Sequence, residues 1–386
     1  MSLHDTAEFA KKAGIVLSIG FGVFLLVFIM VKVGGFINSI LNPPKISSPN
    51  QAYGKLPPLL FPKSIVHGQF TYSINTLNGT LPQDFPDRII VYPIIISQPN
   101  LLNLDDAKNN VAALGFVDTS GATLHEIPLG GPNYEWREST GFQRRIIYNI
   151  VSKNFTMTSN YLTSLDALNA QNLGDQKSAV STVQDFLNTT NSFPTDIDLT
   201  LTQNPDPNND YSTSPLLYSI LNGQMTTTTS LSNAQVIRVD LYQKEVDYTL
   251  TAGTDQDLTH FQDFDMKLPI LYPHPPYSTM NFLIASGPSE ADVVSAVFNH
   301  QSVNLQPDKE ATYPIKTAQQ AFDALKSGKG YIAAYNGTDS QILIDKVYLA
   351  YYLGATQQDY LMPVIVFEGQ NGFFAYVSAV KNTALQ

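Results

Sequence analysis

The sequence predicts an α+β protein with a single N-terminal transmembrane helix, and three observations indicate that class. An uncharged apolar run of 19 residues occupies positions 13–31. Amphipathic helical patterns recur at long intervals, with strand-like sequence between them. Near the C-terminus two apolar segments are joined by Asn371-Gly372, which is the strongest short-range signal for a β-hairpin. The pattern predicts tandem units in which one helix packs on an antiparallel sheet.

The apolar run is long enough to cross a bilayer, since a helix rises about 1.5 Å per residue and the hydrocarbon core is about 30 Å thick. Apolar character resumes after Lys32, so we predict an anchor over 13–41 that lies in the lipid bilayer. A cleaved signal peptide is the alternative, but the run exceeds the usual h-region and no A-x-A site follows it. The short tail predicts a cell-membrane protein with a cytoplasmic N-terminus and an extracytoplasmic C-terminal domain.

Residues after the anchor are rich in proline and lack periodicity, which predicts an extended spacer; a proline-rich docking peptide is the alternative. Three α+β units are then expected, each built around one helix. The predicted organisation is a cytoplasmic tail over 1–12, an anchor over 13–41, a linker over 42–63, a first unit over 64–165, a middle unit over 166–304 and a C-terminal unit over 305–386.

Each predicted unit contains one helical pattern with recognisable ends. In 103–116, Asn103 is the predicted N-cap and Gly115 fits a left-handed C-terminal residue. In 317–328, Thr317 and Gln320 have the spacing of a capping box, and Gly328 ends the pattern. A third amphipathic pattern covers 175–188.

Strand-like segments follow each helix. They cover 134–139, 144–157, 234–250, 280–286, 330–335, 341–352, 361–369 and 372–380. The pair 341–352 and 361–369 is apolar on both faces, so we predict that its second face is covered by another part of the chain or by a partner. The candidate partner-binding residues on that face are Tyr348, Tyr352, Met362 and Val364.

The segments TAQQAFDALKSGKGYI, ILIDKVYLAYY, YLMPVIVFEG and FFAYVSAV, all within 314–380, resemble in their order the PepSY-like and YycI/YycH-type membrane-anchored regulatory domains. The resemblance extends weakly to 236–253 and to the 103–116 helix. It implies tandem PepSY-like units in a single-pass protein whose outer domain binds or restrains a protein or envelope partner. It implies no catalytic residues, and its motifs are mainly core positions.

Composition removes several chemistries. There is no cysteine, which excludes disulfides and thiolate ligands, and the six histidines lack metal-binding spacing. No nucleophile-elbow or phosphate-loop motif occurs, so we predict no catalytic residue, no metal and no cofactor. Two acidic stretches, 204–210 and 255–265, are predicted to be solvated loops, with weak calcium binding as the alternative. A net charge of −11 without a basic cluster argues against nucleic acid as a partner.

These observations predict a non-enzymatic single-pass membrane protein that binds a protein or cell-envelope partner. The alternative is a structural subunit of a surface or membrane-associated assembly, in which the β-rich units pack into an array. An envelope hydrolase is a third reading, for which the sequence offers no motif. The sequence leaves the oligomeric state open.

Overall fold

Besides Leu25 and Met30, which are helical, the computed structural model describes residues 48–64, 66, 68–190, 193–200, 215–250, 264–308 and 311–386. Within these residues no helix is both long and apolar enough to cross a membrane. The predicted tail and most of the predicted anchor over 13–41 lie outside the described residues. Residues Pro49–Tyr248 and Asp265–Gln386 form one compact unit, whose fold follows; the other unit, Met1–Ser48 with Thr249–Phe264, consists mainly of residues outside the described ranges.

Strands dominate the described residues, and the mixed α+β class is confirmed. In chain order the strands are β1 Thr71–Ile74, β2 Arg88–Ile90, β3 Tyr92–Pro93, β4 Ile127–Gly130, β5 Asn133–Arg137, β6 Arg145–Asn149, β7 Phe155–Thr158, β8 Leu216–Leu221, β9 Gln224–Thr228, β10 Val236–Asp240, β11 Val246–Leu250, β12 Phe264–Leu268, β13 Ile270–Leu271, β14 Met280–Ser286, β15 Ala291–Phe298, β16 Thr312–Pro314, β17 Tyr331–Ala334, β18 Gln341–Tyr352, β19 Tyr360–Gly369 and β20 Phe373–Ser378.

From residue 48 onward, the described residues contain the three helices predicted after the linker and a short additional one. The helices are α1 Asn103–Ala113, α2 Leu165–Asn169, α3 Gln176–Asn188 and α4 Ala318–Lys326. Short 3-10 turns also occur at Tyr161–Thr163, Leu231–Asn233, Gln370–Gly372 and Asn382–Ala384.

The helix ends test the cap predictions. Thr317 accepts a hydrogen bond from the Gln320 amide, and the Gln320 side chain accepts one from Thr317, which confirms the capping box of α4. The prediction for Asn103 is wrong, because Leu102 is the N-cap and Asn103 is already inside the helix. There its side-chain oxygen accepts a hydrogen bond from the Asn100 amide, so it stabilises the turn that precedes α1.

The larger sheet has nine antiparallel strands in the order β4-β5-β6-β7-β15-β14-β10-β8-β9. Helix α3 packs across β10, β14 and β15 and covers one face of this sheet. From α3, the Phe186 ring lies 6.3 Å from that of Phe155 and 6.2 Å from that of Phe282. Because side chains alternate along a strand, the residues between these aromatics point to the opposite face.

The smaller sheet has seven strands, with β1-β18-β19-β20-β17 as its main path. Strands β18, β19 and β20 form an antiparallel meander, as predicted, and the β19–β20 turn contains Asn371 and Gly372 with φ of 56° and 66°. Strands β1 and β13 pair with β18 in parallel, and β3 joins β19. The sheet is therefore mixed rather than purely antiparallel.

The strands of the three predicted units are interleaved between the two sheets. The seven-stranded sheet combines β1 and β3, from 64–165, and β13, from 166–304, with the C-terminal meander. In the nine-stranded sheet, β7 of the first predicted unit pairs with β15 of the middle one. Local periodicity shows which side of a strand is apolar but carries no information on its distant partner, and the observed pairings span large sequence separations.

Part of the predicted linker over 42–63 belongs to the compact unit. The backbone amide of Gln51 donates to the Thr312 carbonyl at 3.0 Å, and that of Leu56 donates to the Ala384 carbonyl at 3.0 Å. The Leu56 side chain is fully buried. From Pro49 onward the proline-rich segment is therefore packed against the C-terminal part of the chain.

Candidate functional site

A groove of about 890 Å³ lies beside β6, β7 and the end of β15 in the nine-stranded sheet. Its base includes Ile147, Thr156 and Val297, which are register neighbours on β6, β7 and β15. The side chains of Thr156 and Val297 are exposed, as the alternation from the buried Phe155 and Phe298 requires. We call this site the amide groove, and its lining residues are Ile95, Ile96, Ser97, Pro99, Asn100, Asn103, Gly131, Pro132, Asn133, Ile147, Asn149, Ile150, Val151, Ser152, Asn154, Phe155, Thr156, Val297, Phe298, Asn299, His300, Gln301, Ser302 and Gln357.

The lining of the amide groove is polar but uncharged. Eight of its residues carry a side-chain amide and four carry a hydroxyl. Among the described residues that line it, none is Asp, Glu, Lys or Arg, and His300 is the one titratable side chain. An amide both donates and accepts, so such a surface matches a neutral ligand with both kinds of group better than it matches an ion.

His300 is held in place by a carboxylate. Its Nε2 lies 2.9 Å from Oδ1 and 3.1 Å from Oδ2 of Asp196, and the His300 side chain is only 12% exposed. Burial alone would raise the pKa of Asp196, but the hydrogen bond and the charge of His300 outweigh burial and lower that pKa. The Gln243 amide also donates to Asp196 Oδ2 at 2.8 Å. The carboxylate therefore fixes one nitrogen of the imidazole.

The same network joins the groove to the seven-stranded sheet. Gln243 Nε2 lies 3.1 Å from the Gln301 carbonyl. Gln301 is buried, and its side-chain amide donates to the carbonyls of Gly354 and Thr356, which follow β18. Its side-chain oxygen accepts a bond from the Gln358 amide at 2.9 Å. Because each of these polar groups has a partner, the network can stabilise one arrangement of the groove wall.

A second set of amides fixes the β6–β7 turn. Asn149 Oδ1 accepts hydrogen bonds from the Val151 and Ser152 amides, both at 3.0 Å. Asn154 Oδ1 accepts from the His300 amide at 3.1 Å, and Asn154 Nδ2 donates to Asn299 Oδ1 at 3.0 Å. The turn is thereby tied to the end of β15, and both sides of the groove are preorganised.

Aliphatic side chains form part of the rim and of the base. Ile95 and Ile96 at the rim are 57% and 47% exposed, and Val297 at the base is 37% exposed. The chain continues from Ile96 into a segment where Leu101 and Leu102 are also exposed. Exposed aliphatic groups next to a polar floor are typical of a surface that contacts another macromolecule.

The four residues predicted to bind a partner lie in the seven-stranded sheet. Tyr352, Met362 and Val364 are buried and Tyr348 is half-buried. Tyr348, Tyr352 and Val364 belong to one cluster, against which Leu59 and Phe61 of the predicted linker pack, while Met362 joins a neighbouring cluster with Leu56. The Phe61 ring lies 5.0 Å from the Tyr352 ring and 5.2 Å from the Tyr331 ring. The chain itself supplies the cover that the sequence predicted, and partner binding by these four residues stays a prediction.

Sequence reasoning missed the amide groove. Asp196 and His300 are 104 positions apart, and β15, which carries Val297, was not among the predicted strands. The one available signal was the abundance of Asn, Gln, Ser and Thr, which does not locate a site.

Metal binding finds no positive support among the described residues, in which no group of three or more His, Asp or Glu side chains has a metal-binding arrangement. His274 is half-buried. Its Nδ1 lies 3.4 Å from the Tyr331 hydroxyl. The acidic stretches 204–210 and 255–265 lie outside the described residues, apart from the β12 residues Phe264 and Asp265.

Comparisons with known proteins leave the family open. No family model matches the chain, and no curated protein does. Among solved structures, the chain is similar to an uncharacterized protein from Eubacterium rectale ATCC 33656, with 11% identity over 83% of this chain and 92% of that chain. The TM-score of that match is 0.29, which is too low to support an argument about fold or function.

Proposed function

We propose that this chain is a non-enzymatic, membrane-anchored binding protein of the cell envelope, and that the amide groove receives an uncharged polypeptide segment of a partner protein. The observation that supports this best is the lining of the groove, whose described residues combine amides and hydroxyls with aliphatic side chains and include no Asp, Glu, Lys or Arg. The resemblance to PepSY-like regulatory domains is compatible with this role.

A peptide fits the groove chemistry for two reasons. Its backbone offers alternating donors and acceptors, which side-chain amides and hydroxyls can satisfy in both directions. Its apolar side chains can pack on Ile95 and Ile96 at the rim and on Val297 at the base. A saccharide is less well matched, because Phe155 and Phe298, the two aromatic side chains described in the lining, are buried in the sheet.

In this proposal the His300–Asp196 pair supports the groove. Asp196 contacts both His300 and Gln243, so it holds three separate chain segments together. The fixed imidazole then contributes one polar group at the groove wall, and the surrounding amides contribute the others.

The membrane anchor over 13–41 and the extracytoplasmic location are part of the same proposal, and they can be tested separately. Protease added to intact cells should digest the region that contains α4 and β17–β20. Protection of that region until the cells are lysed would place it on the cytoplasmic side and contradict the proposed orientation.

Binding can be tested with the full chain in detergent micelles and a library of immobilised peptides. Uncharged peptides that combine Ala, Val, Ser, Asn and Gln should bind better than matched peptides containing Asp or Lys. Thr156→Arg and Val297→Arg place a charge in the groove at exposed positions and should weaken binding by at least about tenfold, or roughly 1.4 kcal/mol. Ser181→Arg, which makes the same charge change at an exposed position of α3, is the matched control.

The proposal predicts that Ser181→Arg binds like the unmodified chain. Equal binding by all three variants would show that the groove is not the site. Equal retention of charged and uncharged peptides would contradict the assigned ligand class.

A further inference from the structure

Strand β9 is one edge of the nine-stranded sheet, and among the described residues its only partner strand is β8. The two strands form a hairpin through Asn222 and Gly223, whose φ values are 52° and 73°. The ladder runs without a register shift from Leu221↔Gln224 to Leu217↔Thr228. This regular hairpin determines which backbone groups of β9 face outward.

In a hairpin with a two-residue turn, the pair that flanks the turn is hydrogen-bonded, and hydrogen-bonded and non-bonded pairs then alternate. Gln224, Thr226 and Thr228 therefore direct their backbone groups toward β8. Met225 and Thr227 direct their N–H and C=O groups to the outer edge. The outer edge of β9 thus presents two donors and two acceptors in one row.

The opposite edge of the sheet is protected in a way that β9 is not. Edge strand β4 contains Pro128, and its ladder with β5 is irregular between Pro128 and Gly130. Proline and bulges are devices that prevent a further strand from adding to an edge. Strand β9 has neither device, and its sequence QMTTT contains no charge.

The charge distribution indicates what could approach this edge. The chain has a net charge of −11, yet residues 211–237 include no Asp, Glu, Lys or Arg. Two copies of so acidic a chain repel one another over most of their surface, and this uncharged stretch is where repulsion is weakest. Exposed apolar side chains accompany the edge, since Leu221 and Met225 are 63% and 36% exposed.

We propose that two copies of this chain associate through antiparallel pairing of β9 with β9 of the second copy, about a two-fold axis at Thr226. That axis pairs Met225 of each copy with Thr227 of the other copy. Both residues direct their backbone N–H and C=O groups outward, so each of the two pairs forms two hydrogen bonds, which makes four in total. Thr226 then faces its own counterpart in a non-hydrogen-bonded pair, where Cβ atoms are about 4.5–5.5 Å apart. The two-fold interface is closed, and the two nine-stranded sheets become one continuous sheet.

The absence of cysteine makes the geometry directly testable. Full-length chain carrying Thr226→Cys, in detergent micelles under mild oxidation, should form a disulfide-linked dimer, because a Cβ separation near 4.5–5.5 Å is close to what a disulfide needs. Leu129→Cys, at an exposed position of β4, is the matched control and should form no disulfide-linked dimer. Equal cross-linking by both variants, or none by Thr226→Cys, would overturn the proposal.

Charge variants provide an independent check. Met225→Lys with Thr227→Lys should raise the dimer dissociation constant at least about tenfold in sedimentation measurements, whereas Ile127→Lys with Leu129→Lys on β4 should leave it unchanged. A mixture of the 225/227 double-Lys chain with a 225/227 double-Glu chain should restore dimers, because Lys then faces Glu across the two-fold axis. The melting temperature of each variant shows whether it is folded.

Three results would contradict the self-pairing. The unmodified chain could remain monomeric at all concentrations, the Lys and Glu variants could fail to associate when mixed although both are folded, or Thr226→Cys in native membranes could cross-link only to a different protein. The last result would mean that the β9 edge accepts another chain rather than a second copy.

Discussion

The two sheets differ in what covers them. The seven-stranded sheet is enclosed by its own chain, with α4 on one face through Phe322 and Phe367 and the linker residue Phe61 on the other. The nine-stranded sheet is covered by α3 on one face, the amide groove lies beside β6, β7 and β15, and the edge strand β9 is exposed. The apolar stretch that contains β18 and β19 therefore forms core, and the accessible features lie in neutral, polar segments.

The largest effect should come from the enclosed sheet. Phe367 is fully buried and its ring lies 6.0 Å from that of Phe322, so Phe367→Ala should lower the free energy of unfolding by about 3–5 kcal/mol. Chemical denaturation of the full chain in micelles measures this change. A loss under about 0.5 kcal/mol would mean that this face is not packed as the structure shows.

The linker cover should contribute less, because Phe61 is half-buried. Its contacts with Tyr331 and Tyr352 predict a loss of about 1–3 kcal/mol for Phe61→Ala. Leu60→Ala is a suitable control, since Leu60 is the exposed neighbour. Equal stability of the two variants would show that Phe61 does not stabilise the seven-stranded sheet and that the linker is only a spacer.

How far the sequence could predict this molecule depends on the range of each signal. Local signals worked: Thr317 and Gln320 cap α4, and Asn371-Gly372 turns between β19 and β20, because each rests on neighbouring residues. The apolar character of both faces of β18 and β19 also indicated burial on both sides, and nearly every residue of β19 is buried. The pairing of β1 with β18 could not be predicted in this way, because it is set by packing between segments distant in sequence.

The groove could not be predicted for a related reason. Its polar residues come from segments that share no motif, and each takes its role from partners distant in sequence, as Asp196 does for His300. The same holds for the linker, where proline content indicated an extended chain but not that Leu56 would be buried.

A smaller effect is expected from an ion-pair cluster on β5 and β6 of the nine-stranded sheet. Glu135 is covered by Arg145 and Arg137, and the hydrogen bond from Arg145, supported by Arg137 and opposed by burial, lowers the pKa of Glu135 from 4.5 to about 2. The ionised form is thus favoured in the folded state. The stabilisation is present above pH 4.5 and is lost as the pH falls toward 2.

Glu135→Gln should remove this pH dependence. Both arginines are well exposed, so solvent screening limits the effect to about 1 kcal/mol. The free energies of unfolding of the two chains, measured from about pH 6 to about pH 2 in steps of about one unit, should converge at the acid end. A constant difference between the two free energies over the whole range would show that Glu135 does not contribute through its charge.

The central claim is that the amide groove of the nine-stranded sheet binds the partner, whereas the aromatic face of the seven-stranded sheet that Phe61 covers stabilises the fold. The most direct test measures melting temperature and peptide affinity together for Tyr352→Ala and Thr156→Arg in the full chain. The account predicts that Tyr352→Ala lowers the melting temperature by several degrees and leaves the affinity of the folded protein unchanged, because Tyr352 is buried under Phe61. Thr156→Arg should weaken binding at least about tenfold with little change in melting temperature. The reverse pattern, with affinity lost in Tyr352→Ala at unchanged melting temperature and retained in Thr156→Arg, would contradict it.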